Sequence, residues 1–314
     1  MKAARIHQFG SPEVIVIDEV PCPRPAAEQV LVRVASAGVG PWDALIREGK
    51  SVVKSPLPLT LGSDVSGVIE AVGPGVAQFR LGDEVYGVTN PEFIGAQAEF
   101  ALASSKMLAL KPKHLSFREA ASVPVVAVTA WQMLFEYGKV RSGQTVLILG
   151  GGGNVGGYAV QLASQAGLRV FATCSGDDAQ YVRSLGATTV IDYERERFEE
   201  VAAAVDVVLD MVGGDTRERS LRVIRPSGIL VSAVSGRMPK PDDLSKVSVV
   251  FFLAEVTADR LCLLSKLFEQ GKLISRVGTV LPLEQVRAAH HMLDGAPHKR
   301  GKIVVSVGVY WQRA

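Results

Sequence analysis

The sequence predicts two domains: one compact and mostly β, the other α/β and built on a doubly wound parallel sheet. Three observations carry this. The 314 residues exceed the usual size of one compact domain. The first third is made of short alternating or β-branched runs punctuated by Gly and Pro. From about Ala130 onward, apolar runs alternate with segments of helical periodicity, strand then helix.

In the first region, residues 14–17, 29–34 and 66–72 read as strands, with turn chemistry at 21–25 and 73–75 between them. In the second, Thr145-Val146-Leu147-Ile148-Leu149 is the continuous apolar run of a parallel strand buried on both faces. After a Gly-rich turn, Val155, Ala159, Leu162, Ala163 and Ala166 fall on one helical face. Residues 169–173 form the next strand, followed by a helix through 181–185 closed by Gly186. Residues 188–192, 205–210 and 229–232 continue the alternation of a doubly wound sheet. A helix at 283–294 and a strand at 301–307 end the chain, and pattern alone leaves their domain open.

The composition is 47% hydrophobic and 21% charged, with a formal net charge of +2. That balance gives no electrostatic case for nucleic acid or an anionic membrane, so a small-molecule partner is expected. The N-terminus lacks the apolar core and cleavage signature of a secretory signal. The most apolar long stretch, 120–135, contains Pro124, Thr129 and Gln132 and is too short for a membrane span. A cytoplasmic protein is expected. Cys22, Cys174 and Cys262 are scattered, and form neither a disulfide framework nor a paired-cysteine metal site.

The sharpest motif is Gly150-Gly151-Gly152-Gly153-Asn154-Val155-Gly156, directly after a strand and opening a helix. It satisfies G-x-G-x-x-G through Gly151, Gly153 and Gly156. Glycines let the backbone turn tightly and approach a pyrophosphate, while the helix N-terminus offers unpaired N–H groups and a favourable dipole. The second strand bears on the choice of dinucleotide. A site for NADH normally ends it in an acid that holds the ribose 2′-OH. Here it ends Ala172-Thr173-Cys174-Ser175-Gly176, with hydroxyls and no acid, which points to NADPH. Asp177 and Asp178 follow directly, and NADH becomes the reading if one of them holds the ribose.

The chain resembles the zinc-independent, zeta-crystallin-like quinone oxidoreductase branch of the medium-chain dehydrogenase/reductase superfamily. The similarity runs through Met1-Lys2-Ala3, Gly62-Ser63-Asp64-Val65-Ser66-Gly67-Val68, Gly82-Asp83-Glu84-Val85-Tyr86-Gly87 and Leu115-Ser116-Phe117-Arg118-Glu119-Ala120-Ala121. It continues through Thr129-Ala130-Trp131, Val212-Gly213-Gly214-Asp215-Thr216 and Gly301-Lys302-Ile303-Val304. The resemblance implies a GroES-like β-barrel catalytic domain with a Rossmann domain inserted in it. The expected boundaries are 1–124 for the catalytic domain, 125–265 for the dinucleotide domain and 266–314 for the return. It also implies a substrate cleft between the domains and a homodimer; residues 247–252 read either as an apolar contributor to that interface or as a buried core segment.

Zinc alcohol dehydrogenases of the superfamily carry Cys where this chain has Gly40, and a His–Glu pair where it has Ser63-Asp64. A catalytic zinc needs about three protein ligands, and none is expected here. His290 and His291 are adjacent and face different sides of a helix; His7, His114 and His298 are isolated.

Carried over residue by residue, the resemblance sets Thr129 near the nicotinamide and Gly151, Gly153, Asn154, Val155 and Gly156 at the pyrophosphate. Thr173 and Ser175 surround the adenosine ribose, and Val234, Ser235, Phe251, Phe252 and Leu253 flank the nicotinamide side; on the residues alone Thr129 reads equally as a helix hydroxyl bonded back to its own helix, and the Phe pair as core. Gly40, Trp42, Leu45 and Ser63 are the substrate-cleft candidates. Relatives commonly have Asn where Gly40 stands and Tyr where Leu45 and Ser51 stand. Trp42 narrows or stacks in that cleft, or is a core residue. Asp43 and Arg47 are placed to form a salt bridge.

Without a Lewis acid, alcohol oxidation loses the group that stabilises the alkoxide, whereas an enone or quinone accepts hydride directly. The expected activity is therefore NADPH-dependent reduction of quinones or α,β-unsaturated carbonyls. The alternative is a crystallin-like binding protein that keeps the dinucleotide site and has little catalysis.

Overall fold

The structure is a computed structural model, and it describes residues 1–52, 54–238 and 246–308. Contacts divide the chain into two units, Met1–Val125 with Val256–Ala314, and Val126–Glu255. Residues 309–314 of the expected return segment lie outside the described residues.

The first unit opens with β1 (Lys2–Ile6), β2 (Ile15–Glu19) and the long β3 (Gln29–Val39). A short helix α1 (Pro41–Arg47) leads to β4 (Leu59–Thr60) and β5 (Asp64–Val72). Then come β6 (Glu84–Val88), β7 (Phe100–Ser104), β8 (Leu108–Leu110) and α2 (Phe117–Ala121). Ser116 caps α2 by accepting from the Glu119 N–H while the Glu119 carboxylate accepts from the Ser116 N–H, a reciprocal capping box.

The chain next passes through α3 (Pro124–Trp131) and a π-helical turn at Gln132–Tyr137 into β9 (Thr145–Leu149) and α4 (Asn154–Gln165). The alternation continues with β10 (Arg169–Cys174), α5 (Ala179–Ser184), β11 (Thr189–Asp192), α6 (Phe198–Val201) and β12 (Val205–Asp210). It ends with α7 (Gly214–Ser220), β13 (Ile224–Ser232) and β14 (Ser248–Phe251). These strands pair in the order β11-β10-β9-β12-β13-β14, all parallel. β9 is central, and Val146, Leu147, Ile148 and Leu149 are fully buried, as their uninterrupted apolar run requires. The order reverses at β9, because β10 and β12 lie on opposite sides of it. Its C-terminal end is therefore the topological switch point of the sheet.

The return to the first unit supplies α8 (Ala258–Glu269), β15 (Val277–Pro282), α9 (Val286–Leu293) and β16 (Lys302–Ser306). β16 pairs antiparallel with β3, so a seven-stranded sheet runs β15-β16-β3-β5-β6-β8, with β7 also on β3. A second sheet has the order β2-β1-β4. The return begins at Val256 and not at 266, because α8 already belongs to this unit. The Tyr86 hydroxyl on β6 donates to the Leu261 carbonyl (2.8 Å) and lies 2.9 Å from Ser265 Oγ. A boundary at 265/266 would cut that helix.

Candidate active site

In the second unit, the end of β10 holds the glycine loop. The Gly150 N–H donates to Thr173 Oγ1 (3.0 Å) and the Gly151 N–H to the Thr173 carbonyl (2.7 Å). Thr173 is buried, so its hydroxyl shapes the loop that Gly150, at φ +86°, turns. Gly153 caps α4 in extended conformation with no side chain to bond the first N–H groups of the helix. Those groups are left for an anion. At Gly156 a Cβ would lie 2.1 Å from the Gly150 carbonyl oxygen, so a side chain there would push the loop off the helix. The cradle fits a pyrophosphate, and Gly151, Gly153, Asn154, Val155 and Gly156 lie together in this loop and the first turn of α4.

An acid also reaches this loop. A Cβ on Gly152 would come within 2.8 Å of Asp178 Oδ2, which places the buried Asp178 carboxylate against the loop backbone. Ser175, itself buried, has its hydroxyl 3.5 Å from the same oxygen.

On the other side of β9, Asp210 ends β12 fully buried. Its Oδ1 accepts from the Val212 and Gly213 N–H groups (3.0 and 2.7 Å), and its Oδ2 accepts from Ser232 Oγ (2.7 Å). Arg217 on α7 lies 3.7 Å from Asp210 Oδ2 and donates to the carbonyls of Val234 (2.9 Å) and Arg237 (2.7 Å). This network, absent from the sequence expectations, fixes the Val234–Ser235 turn. Val234 is half-buried and Ser235 exposed. Phe252 is buried against Tyr137, ring centroids 4.5 Å apart, whereas Phe251 and Leu253 are exposed. The three therefore do not share one exposed surface. Thr129 is buried on α3.

In the first unit, the substrate-cleft candidates lie around a buried polar cluster. Asp43 Oδ2 accepts from the Gly40 N–H at the start of α1 (2.8 Å). Asp64 Oδ1 accepts from the Val125 N–H (3.0 Å). The Lys302 ammonium approaches Asp64 Oδ2 to 2.9 Å, an ion pair rather than a well-aligned hydrogen bond. It also lies 4.1 Å from the Trp42 ring centroid. The Trp42 N–H donates to Ser63 Oγ (3.0 Å), so Gly40, Trp42 and Ser63 are neighbours, while Leu45 is exposed on α1. Asp43, Asp64 and Lys302 are at most 1% exposed. Burial pushes the Asp43 carboxyl up to about 7, with the Gly40 amide and then Lys302 opposing it. Burial likewise raises Asp64, against the pull of Lys302. Arg47 pairs with Glu48 (2.7 Å) and Asp294 (3.1 Å) and not with Asp43 as expected, because the Asp43 carboxylate is turned back to the amide of Gly40. Burial and the neighbouring Arg47 push His290 down to about 3.

These residues do not fit a catalytic zinc. Position 40 has no side chain, Ser63 is engaged with an indole, and Asp64 faces an ammonium. Among the described residues no group of three or more His, Cys, Asp or Glu side chains is placed to hold a metal ion.

Comparison with known proteins adds to this geometry. Residues 26–113 match the family described as alcohol dehydrogenase GroES-like domain, and residues 185–305 match zinc-binding dehydrogenase. A 2-methylene-furan-3-one reductase of Solanum lycopersicum is 38% identical over 77% of this chain, and the match spans 64% of that relative's length. An Arabidopsis thaliana protein named NADPH-dependent alkenal/one oxidoreductase, chloroplastic, is 33% identical over 97% of this chain and 79% of its own. The structure of the quinone oxidoreductase from Coxiella burnetii superposes with a TM-score of 0.89 at 32% identity, covering 98% of this chain and 99% of that one.

Proposed function

Because the chain belongs to the quinone oxidoreductase branch of the medium-chain dehydrogenase/reductase superfamily, we propose that this oxidoreductase reduces quinones or other α,β-unsaturated carbonyls without zinc. One observation carries the reading: a glycine cradle coexists with Gly40, Ser63 and Asp64, a set of residues that does not fit a catalytic zinc. A reduced nicotinamide supplies the hydride when bound. The chain's part is to seat the pyrophosphate on the first turn of α4, to hold the Val234 turn through Arg217, and to orient the electrophile. An enone or quinone takes the developing charge on its own oxygen, so no Lewis acid is needed. Solvent supplies the proton that completes the reduction.

For the dinucleotide we propose NADPH. The absence of an acid at the end of β10 supports it, as does the NADPH-dependent Arabidopsis relative. NADH is a second reading, favoured by the Asp178 carboxylate against Gly152, which would repel a 2′-phosphate placed there. We place the enzyme in the cytoplasm as a homodimer. Among the described residues β14 is the last strand of its sheet, and Phe251 on it is exposed, which supports association along that edge.

Fluorescence titration with NADPH and NADH, followed by NADPH oxidation with and without an added quinone or enone, tests the proposal. Tighter NADPH binding and electrophile-dependent oxidation are expected. Tighter NADH binding would move the assignment to Asp178. Dinucleotide binding with no turnover on any activated alkene would replace the enzyme with a crystallin-like binding protein.

A further inference from the structure

Arg217 is buried on α7, although Asp215 and Glu218 of the same helix are exposed. Its guanidinium acts as a fork. Nη1 donates to the Val234 carbonyl (2.9 Å) and Nη2 to the Arg237 carbonyl (2.7 Å), while Asp210 Oδ2 lies 3.7 Å from Nη1. The loop closes over the fork: a Cβ on Gly236, at φ +125°, would lie 3.6 Å from Nη2. Asp210 in turn pins the loop after β12 by accepting from the Val212 and Gly213 N–H groups.

The two loops touch, since a Cβ on Gly213 would meet Val234 Cγ1 at 2.9 Å. Val212 also reaches the glycine loop, where a Cβ on Gly150 would meet its Cγ2 at 3.3 Å. One buried pair therefore fixes a strip that runs from the glycine loop across the ends of β12 and β13. The strip lies on the far side of β9 from β10, the strand whose end takes the adenosine ribose in a dinucleotide fold. A dinucleotide held by its pyrophosphate at the switch point lays its other half over this strip.

We propose that Arg217 is a positioning residue for the nicotinamide half of the dinucleotide: by gripping two carbonyls of the 234–237 loop it sets the surface on which that half rests. The proposal rests on the dinucleotide-dependent reductase reading and deepens it. The planar fork is what the role needs. A lysine is a single point charge, able to neutralise Asp210 or to hold one carbonyl, but not to span both. A small shift of the loop acts on rate before it acts on adenosine binding, because reacting atoms must be held about 3–3.5 Å apart.

The test compares wild type, Arg217→Lys and Arg217→Met, with ADP as the probe of the adenosine half and 1,4-naphthoquinone as acceptor. NADPH is the reduced dinucleotide, replaced by NADH if that binds more tightly. Arg217→Lys should keep the ADP Kd and the urea midpoint near wild type. Its kcat should nevertheless fall roughly ten- to a hundredfold, the scale of a misplaced reacting centre. The primary isotope effect from dinucleotide deuterated at the transferred C4 position should grow. Arg217→Met should show the same loss of kcat and a lower urea midpoint. Full kcat in Arg217→Lys would overturn the fork. Equal losses of ADP and NADPH affinity in both variants would mean a general loosening of the unit and overturn the positioning role.

A second readout needs no turnover. The reduced nicotinamide emission of bound dinucleotide should be shifted and enhanced in the wild type and less so in Arg217→Lys, and identical emission would overturn the proposal. A wild type that bound the dinucleotide and turned over no electrophile would end the reductase reading by itself, and the emission would still decide the role of Arg217.

Discussion

The two units bury charge differently. In the second, Asp210, Arg217 and Ser232 belong to one β-α-β stretch, and their partners are mostly the backbone groups of adjacent loops. In the first, Asp43, Arg47, Asp64, His290 and Lys302 are nearly inaccessible and come from elements far apart in the chain. A local network fixes a turn. A long-range one fixes the return of the C-terminal segment, since Lys302 opens β16 and its counter-ion opens β5. The chain thus builds the Asp210 network from contiguous sequence and assembles the Trp42 region from distant pieces.

The sharpest way to break this comparison is to remove one cation from each network. Lys302→Met leaves Asp64 buried with a single hydrogen bond, from the Val125 N–H. Breaking one side of a buried pair costs about 3–5 kcal/mol. Arg217→Met leaves Asp210 with hydrogen bonds from two amides and a hydroxyl. The expected loss there is smaller, about 1–3 kcal/mol. Urea denaturation of both variants should give the lower midpoint for Lys302→Met, and the reverse order would undo the distinction.

A pH series sharpens the same contrast from the acidic side. Burial raises Asp43 from 3.8 to about 7, so the folded chain keeps a proton that the unfolded chain gives up. The stability this group contributes is fully present below about pH 4, declines as pH rises toward 7, and is flat above. Asn in its place can still accept from the Gly40 amide. Asp43→Asn should therefore gain on the wild type between pH 4 and 7, by on the order of a few kcal/mol at the upper end. His290, held at about 3, has the opposite slope: its contribution is lost as pH falls below 6.5. It is present in both proteins and cancels in the difference. A pH-independent difference would remove the protonated Asp43 from the account.

What the sequence made legible follows the same division. The parallel sheet is readable because residues 146–149 are uniformly apolar and stand in the sheet's centre, while the glycine loop is one continuous motif. Helix 283–294 proved to be a 3-10 turn at Leu283–Gln285 followed by α9, a boundary that apolar periodicity does not resolve. At Gly40, Trp42 and Ser63 the sequence named the residues and not the reason they meet. Lys302 was visible only inside Gly301-Lys302-Ile303-Val304, with no role, because nothing local marks a lysine that folds back onto Asp64. Arg217 escaped notice since an arginine in a polar helix turn reads as solvated. The expected Asp43–Arg47 pair failed because helical spacing cannot say that a carboxylate is already committed to an amide at its own N-terminus.

The smallest expected effects compare two helix starts. In the first unit, α8 is capped by Thr257, whose hydroxyl accepts from the Arg260 N–H. In the second, α4 begins at Gly153 with no side-chain cap. Thr257→Ala should cost about 1 kcal/mol in urea denaturation and leave the dinucleotide Kd unchanged. Gly153→Ser should do the opposite. Its hydroxyl can satisfy a first-turn amide of α4 and add a few tenths of a kcal/mol, but it then competes with the pyrophosphate for that amide. Dinucleotide Kd should rise several-fold while stability holds. A Gly153→Ser protein that bound dinucleotide as tightly as the wild type would mean that the bare N-terminus of α4 is not where the phosphate sits. The cradle would then have to be sought in the loop amides before it.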